Sequence, residues 1–239
     1  MDYVIYKGQK YEVSYNFNPD LKLYKRDLET CLGVYNPIDP IQDIDEIEGL
    51  TNITDLTNLT IRGQISEIKG LENLESLKRL YLGGNRISEI KNLDHLTNLK
   101  DLRLDGNKIR EIKGLDKLTN LVRLDLSANR IEKIKGLEKL KNLMWLILEF
   151  NQIEEIEGLD NLTKLIKLHL QGNRIREIKN ISHLKNLGHL DLIDNRITDV
   201  QILKEMKYLY GGEVFLYGNP IPHKQWKEME KLFVFEFDI

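Results

Sequence analysis

A single cysteine, Cys31, stands among 239 residues, which rules out an internal disulfide framework and suits a reducing compartment. Long apolar runs are missing as well, since none approaches the roughly 20 residues a helix needs to span a bilayer. No sign of charge dominates. With 35 basic and 38 acidic residues the formal net charge is −3, too small to imply attraction to nucleic acid or to an anionic membrane. The start, Met1-Asp2-Tyr3-Val4, turns polar at once and lacks the basic and apolar stretches of a signal peptide. The motifs of common chemistries are also wanting: no glycine-rich phosphate loop with lysine, no His-Glu-x-x-His, no cysteine pair and no nucleophile elbow. These absences predict a soluble cytoplasmic protein with no catalytic residues, no cofactor, no metal and no small-molecule substrate.

What the chain does have is a period. The phrase Ile-x-x-Ile-x-Gly-Leu starts at Ile44, Ile65, Ile109, Ile131 and Ile153, with variants at Ile87, Ile175 and Ile197. From Ile65 onward every step is 22 residues, and the step from Ile44 is one shorter. Between these phrases runs a second one, Leu-x-x-Leu-x-Leu-x-x-Asn-x-Ile, beginning at Leu77, Leu99, Leu121, Leu143, Leu165 and Leu187. Leu-x-Leu has the period of a strand, so its two leucines point one way and the middle residue the other. One such strand cannot bury its apolar face alone, whereas copies stacked about 4.8 Å apart make a parallel sheet with a leucine interior. The asparagines Asn85, Asn107, Asn129, Asn151, Asn173, Asn195 and Asn219 fall where the chain leaves the strand. An amide can both donate to and accept from the backbone of its own and the next coil, so these are expected to be structural. Leucines at every third position in the other half of the unit predict short 3₁₀ or irregular turns on the convex side.

This pattern resembles the leucine-rich repeat over roughly residues 44–221, in particular the 22-residue subclass found in the leucine-rich regulatory subunit of protein phosphatase 1 and in bacterial internalins. The resemblance implies an α/β repeat fold, a right-handed solenoid with a concave parallel sheet and convex turns, capped at both ends. It also implies a scaffold that binds another protein on the concave sheet, with intracellular signalling or phosphatase regulation among its roles. Internalin-like adhesion is the same class of activity, and the polar N-terminus speaks against it. Three regions are expected: an N-terminal cap over 1–43, regular repeats over 44–212, and the last strand with a C-terminal cap over 213–239. In the first, residues 3–15 read as a hairpin, Leu21-Lys22-Leu23 with Leu28 as a degenerate strand, and 29–43 as an irregular insertion. The coil at Leu59-Thr60-Ile61 lacks its asparagine and carries Gln64 one residue early, so it is expected to be strained or wet. In the last unit a helix is predicted over 201–209 with Val200, Leu203, Met206 and Leu209 inward. An amphipathic segment with Trp226, Met229 and Leu232 follows, then an alternating strand over 233–239.

With the leucines committed inward, function should lie on the outward columns. The column between the strand leucines runs Thr60, Tyr81, Arg103, Asp125, Ile147, His169, Asp191, Phe215, and the one before it Asn58, Arg79, Asp101, Arg123, Trp145, Lys167, His189, Glu213. The third, two places beyond the middle position, runs Arg62, Gly83, Asp105, Ser127, Glu149, Gln171, Ile193, Tyr217. The early coils alternate in charge and read as a self-neutralising ladder. Trp145, Ile147 and Phe150 form an apolar cluster with the composition of an interface hot spot, or else an indole packed on its own phenyl neighbour. The expected partner surface is that cluster with Tyr81, Arg103, Arg123, Asp125, His169, His189, Asp191, Phe215 and Tyr217. His169 and His189 on neighbouring strands, close to Asp191 and Asp194, are read as polar surface rather than a metal site. The protein is expected to be a monomer or weak homodimer, the alternative function being self-association through the C-terminal aromatic strand.

Overall fold

A three-residue alternation makes a strand only if neighbouring copies complete its hydrogen bonds, and here they do. The computed structural model describes residues 3–6, 9–12, 14–16, 29–35, 40–209 and 212–229. Two strands, β1 (Tyr3–Tyr6) and β2 (Gln9–Glu12), pair antiparallel at the N-terminus. The main sheet begins with β3 (Ser14–Asn16) and β4 (Glu29–Tyr35), paired antiparallel. It continues in parallel through β5 (Asn58–Arg62), β6 (Arg79–Tyr81), β7 (Asp101–Arg103), β8 (Arg123–Asp125) and β9 (Trp145–Ile147). Then come β10 (Lys167–His169), β11 (His189–Asp191) and β12 (Glu213–Phe215), so strand order follows chain order throughout. The molecule is a leucine-rich-repeat solenoid with this sheet as its concave wall.

The core is a stack of like residues. Leu80, Leu102, Leu124, Leu146, Leu168 and Leu190 occupy one strand position and have no exposed surface. On the convex side the three-residue leucine spacing closes 3₁₀-type bonds, such as Leu96 N–H to Leu93 O at 2.9 Å and Leu99 N–H to Leu96 O at 3.0 Å.

Each asparagine closes the step between coils. The Asn129 amide donates to Leu104 O at 2.9 Å and to Leu126 O at 3.1 Å, while its oxygen accepts from Ile109 N–H at 2.9 Å. The partner coil is the preceding one, not the following one as expected. The same bonds recur from Asn85 to Asn219. A second ladder escaped the sequence reading. Asn98, Asn120, Asn142, Asn161 and Asn186 each donate to a carbonyl of the preceding coil on the convex side. The convex charge columns are also registered between coils, with Lys91 paired to Glu67 at 2.7 Å and Lys179 to Glu155 at 3.0 Å. All these groups are solvated, so the pairs keep register more than they add stability.

Two expectations fail at the ends. Residues 29–35 are not an irregular insertion but the seven-residue strand β4, whose Thr30, Val34 and Tyr35 favour extended backbone. The degenerate strand proposed at residues 21–28 lies outside the described residues. The coil of Leu59 shows no left-handed residue between 58 and 64. It absorbs its missing residue by lengthening β5, pairing Gly63 with Ile41 and bonding Gln64 N–H to Ile41 O at 2.7 Å. Residues 201–209 form two 3₁₀ stretches, Gln201–Glu205 and Lys207–Leu209, instead of one α-helix. Val200, Leu203, Met206 and Leu209 are all buried, and their three-residue spacing is the 3₁₀ period. The one α-helix among the described residues, α1 (His223–Met229), buries Met229 and rests Trp226 against the core. Leu232 and the strand predicted over 233–239 lie outside the described residues.

Candidate functional site

Parallel register carries the outward columns across the sheet as read from sequence: Arg79, Asp101, Arg123, Trp145, Lys167, His189 and Glu213 are successive partners. Beside them run Tyr81, Arg103, Asp125, Ile147, His169, Asp191 and Phe215. Every outward residue singled out above therefore lies on this face or its rim, but they form separate groups.

The N-terminal group is closed on itself. Asp101 accepts from Tyr81 Oη at 2.9 Å and from Arg103 at 3.3 and 3.1 Å. The Arg103 guanidinium also lies 4.2 Å from the Tyr81 ring centroid. Burial, followed by the Asp101 charge, pushes the Tyr81 phenol up to about 12. Asp125 accepts both the hydroxyl and the N–H of Ser127, at 2.7 and 3.1 Å. Burial and the Asp125 charge raise the Asp105 carboxyl above its ordinary range. Charges satisfied in this way give a partner little to bind.

The central group is open. A shallow concavity of about 370 Å³ is lined by Arg123 and Asp125 on β8, Trp145 and Ile147 on β9, and Lys167 and His169 on β10. The Trp145 side chain is flanked by the Arg123 guanidinium at 5.0 Å and the Lys167 ammonium at 5.7 Å from its ring. Cations are attracted to the face of an indole, and an aromatic beside arginine suits a surface anchor. Trp145, Phe150 and Tyr217 are the exposed large apolar side chains among the described residues, at 38%, 54% and 76%.

Phe150 has a neighbour in the next coil. It lies in the turn after β9 with φ of 53°, and its ring rests on Gly172, where a Cβ would come within 2.6 Å of the phenyl. The equivalent residues before the other asparagines include Gly84, Gly106 and Gly172. A bulky left-handed residue is an outlier that the fold itself does not require. Trp145 thus lines the groove, while Phe150 stands in the turn after β9 against Gly172.

The C-terminal group gathers His169, His189 and Asp191 with two residues absent from the expected surface, Glu149 and Glu213. His169 Nδ1 lies 3.0 Å from a Glu149 oxygen, and His189 Nδ1 contacts Glu213. The hydrogen bond from His189, then its charge, holds the Glu213 carboxyl below the usual range. Glu213 follows His189 in its own column, whereas Glu149 was legible only by reading diagonally, since it sits one strand back and two places on from His169.

Residues 75–117, 97–142 and 163–205 match the family described as leucine-rich repeats in two copies. No curated protein sequence matches the chain. Among solved structures, internalin C2 of Listeria monocytogenes is similar with a TM-score of 0.68 and 30% identity, over 80% of each chain. A leucine-rich-repeat protein of Leptospira interrogans gives 0.55 and 25%, over 78% of this chain and 62% of its own. The functional domain of InlJ from Listeria monocytogenes, which includes a cysteine ladder, gives 0.59 and 20%, over 77% of this chain and 43% of its own. That last likeness is one of fold. None of these comparisons points to a phosphatase subunit.

Proposed function

Because this chain belongs to the leucine-rich-repeat family, we propose that it is a non-catalytic scaffold that binds a folded partner protein on its concave sheet. The observation that carries the reading is Trp145, exposed in the middle of that sheet between two cations, with the strained Phe150 at the rim of the same coil. Aromatic anchors beside arginine are the residues that carry most binding energy in protein interfaces. The partner's matching surface combines an apolar recess for the indole with acidic groups that meet Arg123 and Lys167. A cytoplasmic setting is supported by the lone Cys31. No helix among the described residues is long and apolar enough to cross a membrane. A protein phosphatase catalytic subunit is a partner to try on the strength of the repeat's subclass alone.

The test is affinity capture from native lysate with the full chain and with a Trp145→Ala, Phe150→Ala double variant. The reading expects at least one captured protein to be lost by the double variant and retained by an Arg79→Ala control. Retention of every captured protein by the double variant overturns it. Sizing chromatography with and without residues 233–239 decides whether self-association through that segment accounts for any captured copy of the chain.

A further inference from the structure

His169 and Asp191 are direct partners across β10 and β11, and His189 lies two places before Asp191 on the same face. The two imidazole rings stack with centroids 4.4 Å apart and 28° between their planes. One ring nitrogen from each histidine and a carboxylate oxygen of Asp191 all lie within 4.8 Å of one another. Both rings are held from outside this trio, His169 by Glu149 and His189 by Glu213, in each case through Nδ1. That leaves Nε2 as the available nitrogen of each ring. Nε2 of His189 is shut off from solvent and has no hydrogen-bond partner in the protein. Asp191 is buried to 8% exposure, with one carboxylate oxygen accepting from Ile193 N–H at 3.0 Å.

We propose that His169, His189 and Asp191 bind a divalent transition ion of the zinc class, with Glu149 and Glu213 as the carboxylates that orient the two histidines. Two imidazoles and one carboxylate are the donor set that zinc and its neighbours take when one position is left open. Metal-bound histidines characteristically donate their second nitrogen to a carboxylate, which fixes the tautomer and raises the basicity of the ligating nitrogen. That arrangement occurs here twice, on adjacent strands, with glutamates from two different coils. Charge points the same way: three carboxylates, Glu149, Asp191 and Glu213, lie around the two imidazoles. An ion at this place would satisfy the orphaned Nε2 and offset that negative charge together. Metal–ligand bonds of about 2.0–2.2 Å require the three donors to draw together, which side-chain rotation on an open sheet face allows. His169 also lines the groove beside Trp145. Nothing in this assignment depends on a protein partner.

The experiment uses the tag-free full chain and zinc chloride alone in calorimetry, with cobalt(II) absorption as the report of ligand geometry. The expected result is one zinc per chain, a tetrahedral cobalt spectrum, and a melting temperature raised by zinc. His169→Gln and His189→Gln should each abolish the cobalt spectrum. Glu149→Gln and Glu213→Gln should weaken binding about 10–100-fold, and His223→Gln should leave it unchanged. Melting curves of the metal-free variants establish that each is folded. No saturable zinc binding by the native chain overturns the assignment, as does binding that survives in both folded histidine variants.

Discussion

Asn129 shows how one side chain can hold two coils together. Its amide spans Leu104 O, Leu126 O and Ile109 N–H, none of which has access to solvent once the coils are stacked. Asn129→Leu would keep the volume, leave the buried Ile109 N–H without a partner, and take one of two amide donors from Leu104 O and from Leu126 O, which keep Asn107 and Asn151. Leaving a buried polar group unsatisfied costs about 1–3 kcal/mol, so urea unfolding should show a loss within that range. Asp would fare no better, since a carboxylate facing two carbonyl oxygens has no proton to give them. Phe150 predicts the opposite behaviour. Its left-handed backbone costs a non-glycine residue about 1–2 kcal/mol, and glycine serves in the same turn at Gly106 and Gly172. Phe150→Gly is therefore expected to leave stability unchanged or raise it by about 1 kcal/mol while weakening capture of the partner. A residue that destabilises the fold and strengthens binding is there for binding. A clear loss of stability in urea for Phe150→Gly would instead make the phenyl a structural lid over Gly172.

At the scale of elements, the sequence was most legible where it repeats and least where it does not. Leu-x-Leu and the following asparagine specified β6 through β11 and all their partners, because a strand that can be buried only by its own copies has one solution. The columns on the concave face followed at once from that register. The contents of the face were harder to read: the pairing of His169 with Glu149 crosses columns, and the contact of Phe150 with Gly172 depends on a left-handed turn. The caps were least legible, since β4 has no repeat to announce it. In the last coil the inward residues were right and the helix type wrong. Val200, Leu203, Met206 and Leu209 recur every three residues, which an α-helix would spread around its surface while a 3₁₀ turn keeps them aligned. The element that closes this end is α1, which covers the open core with Met229, and Gln225 accepts from Val200 N–H at 2.9 Å. Met229→Ala should cost about 2–5 kcal/mol by emptying a fully buried site. The loss should appear as early unfolding of the C-terminal coils in hydrogen exchange, with the middle coils retaining their protection.

The whole molecule is a one-dimensional stack, in which each coil touches its neighbours and nothing further. Its stability is then a sum of coil and interface contributions, and the interfaces are interchangeable wherever the period is kept. Removing residues 109–130, one 22-residue unit, joins Lys108 to Ile131 and brings the coil of Asn151 onto the coil of Asn107. Every inter-coil bond then has a replacement partner. The Asn151 amide, which now donates to Leu126 O at 3.0 Å, would meet Leu104 O, and its oxygen would still accept from Ile131 N–H. Lys135, now 3.7 Å from Glu111, would meet Glu89 instead. The shortened chain should fold cooperatively with unchanged circular dichroism per residue. Its melting temperature should be lower, and its urea m-value should fall by roughly a tenth, in line with the surface removed. Deleting only residues 109–119 removes half a coil and places leucines where the exposed columns should be, so that chain should not fold. The comparison separates a stack from a globular core, because a core that depended on distant contacts would lose its fold with either deletion. The 109–130 deletion also removes Arg123 and Asp125 while sparing Trp145, His169, His189 and Asp191. Partner capture should weaken in that chain, and the zinc site two coils away should bind as before.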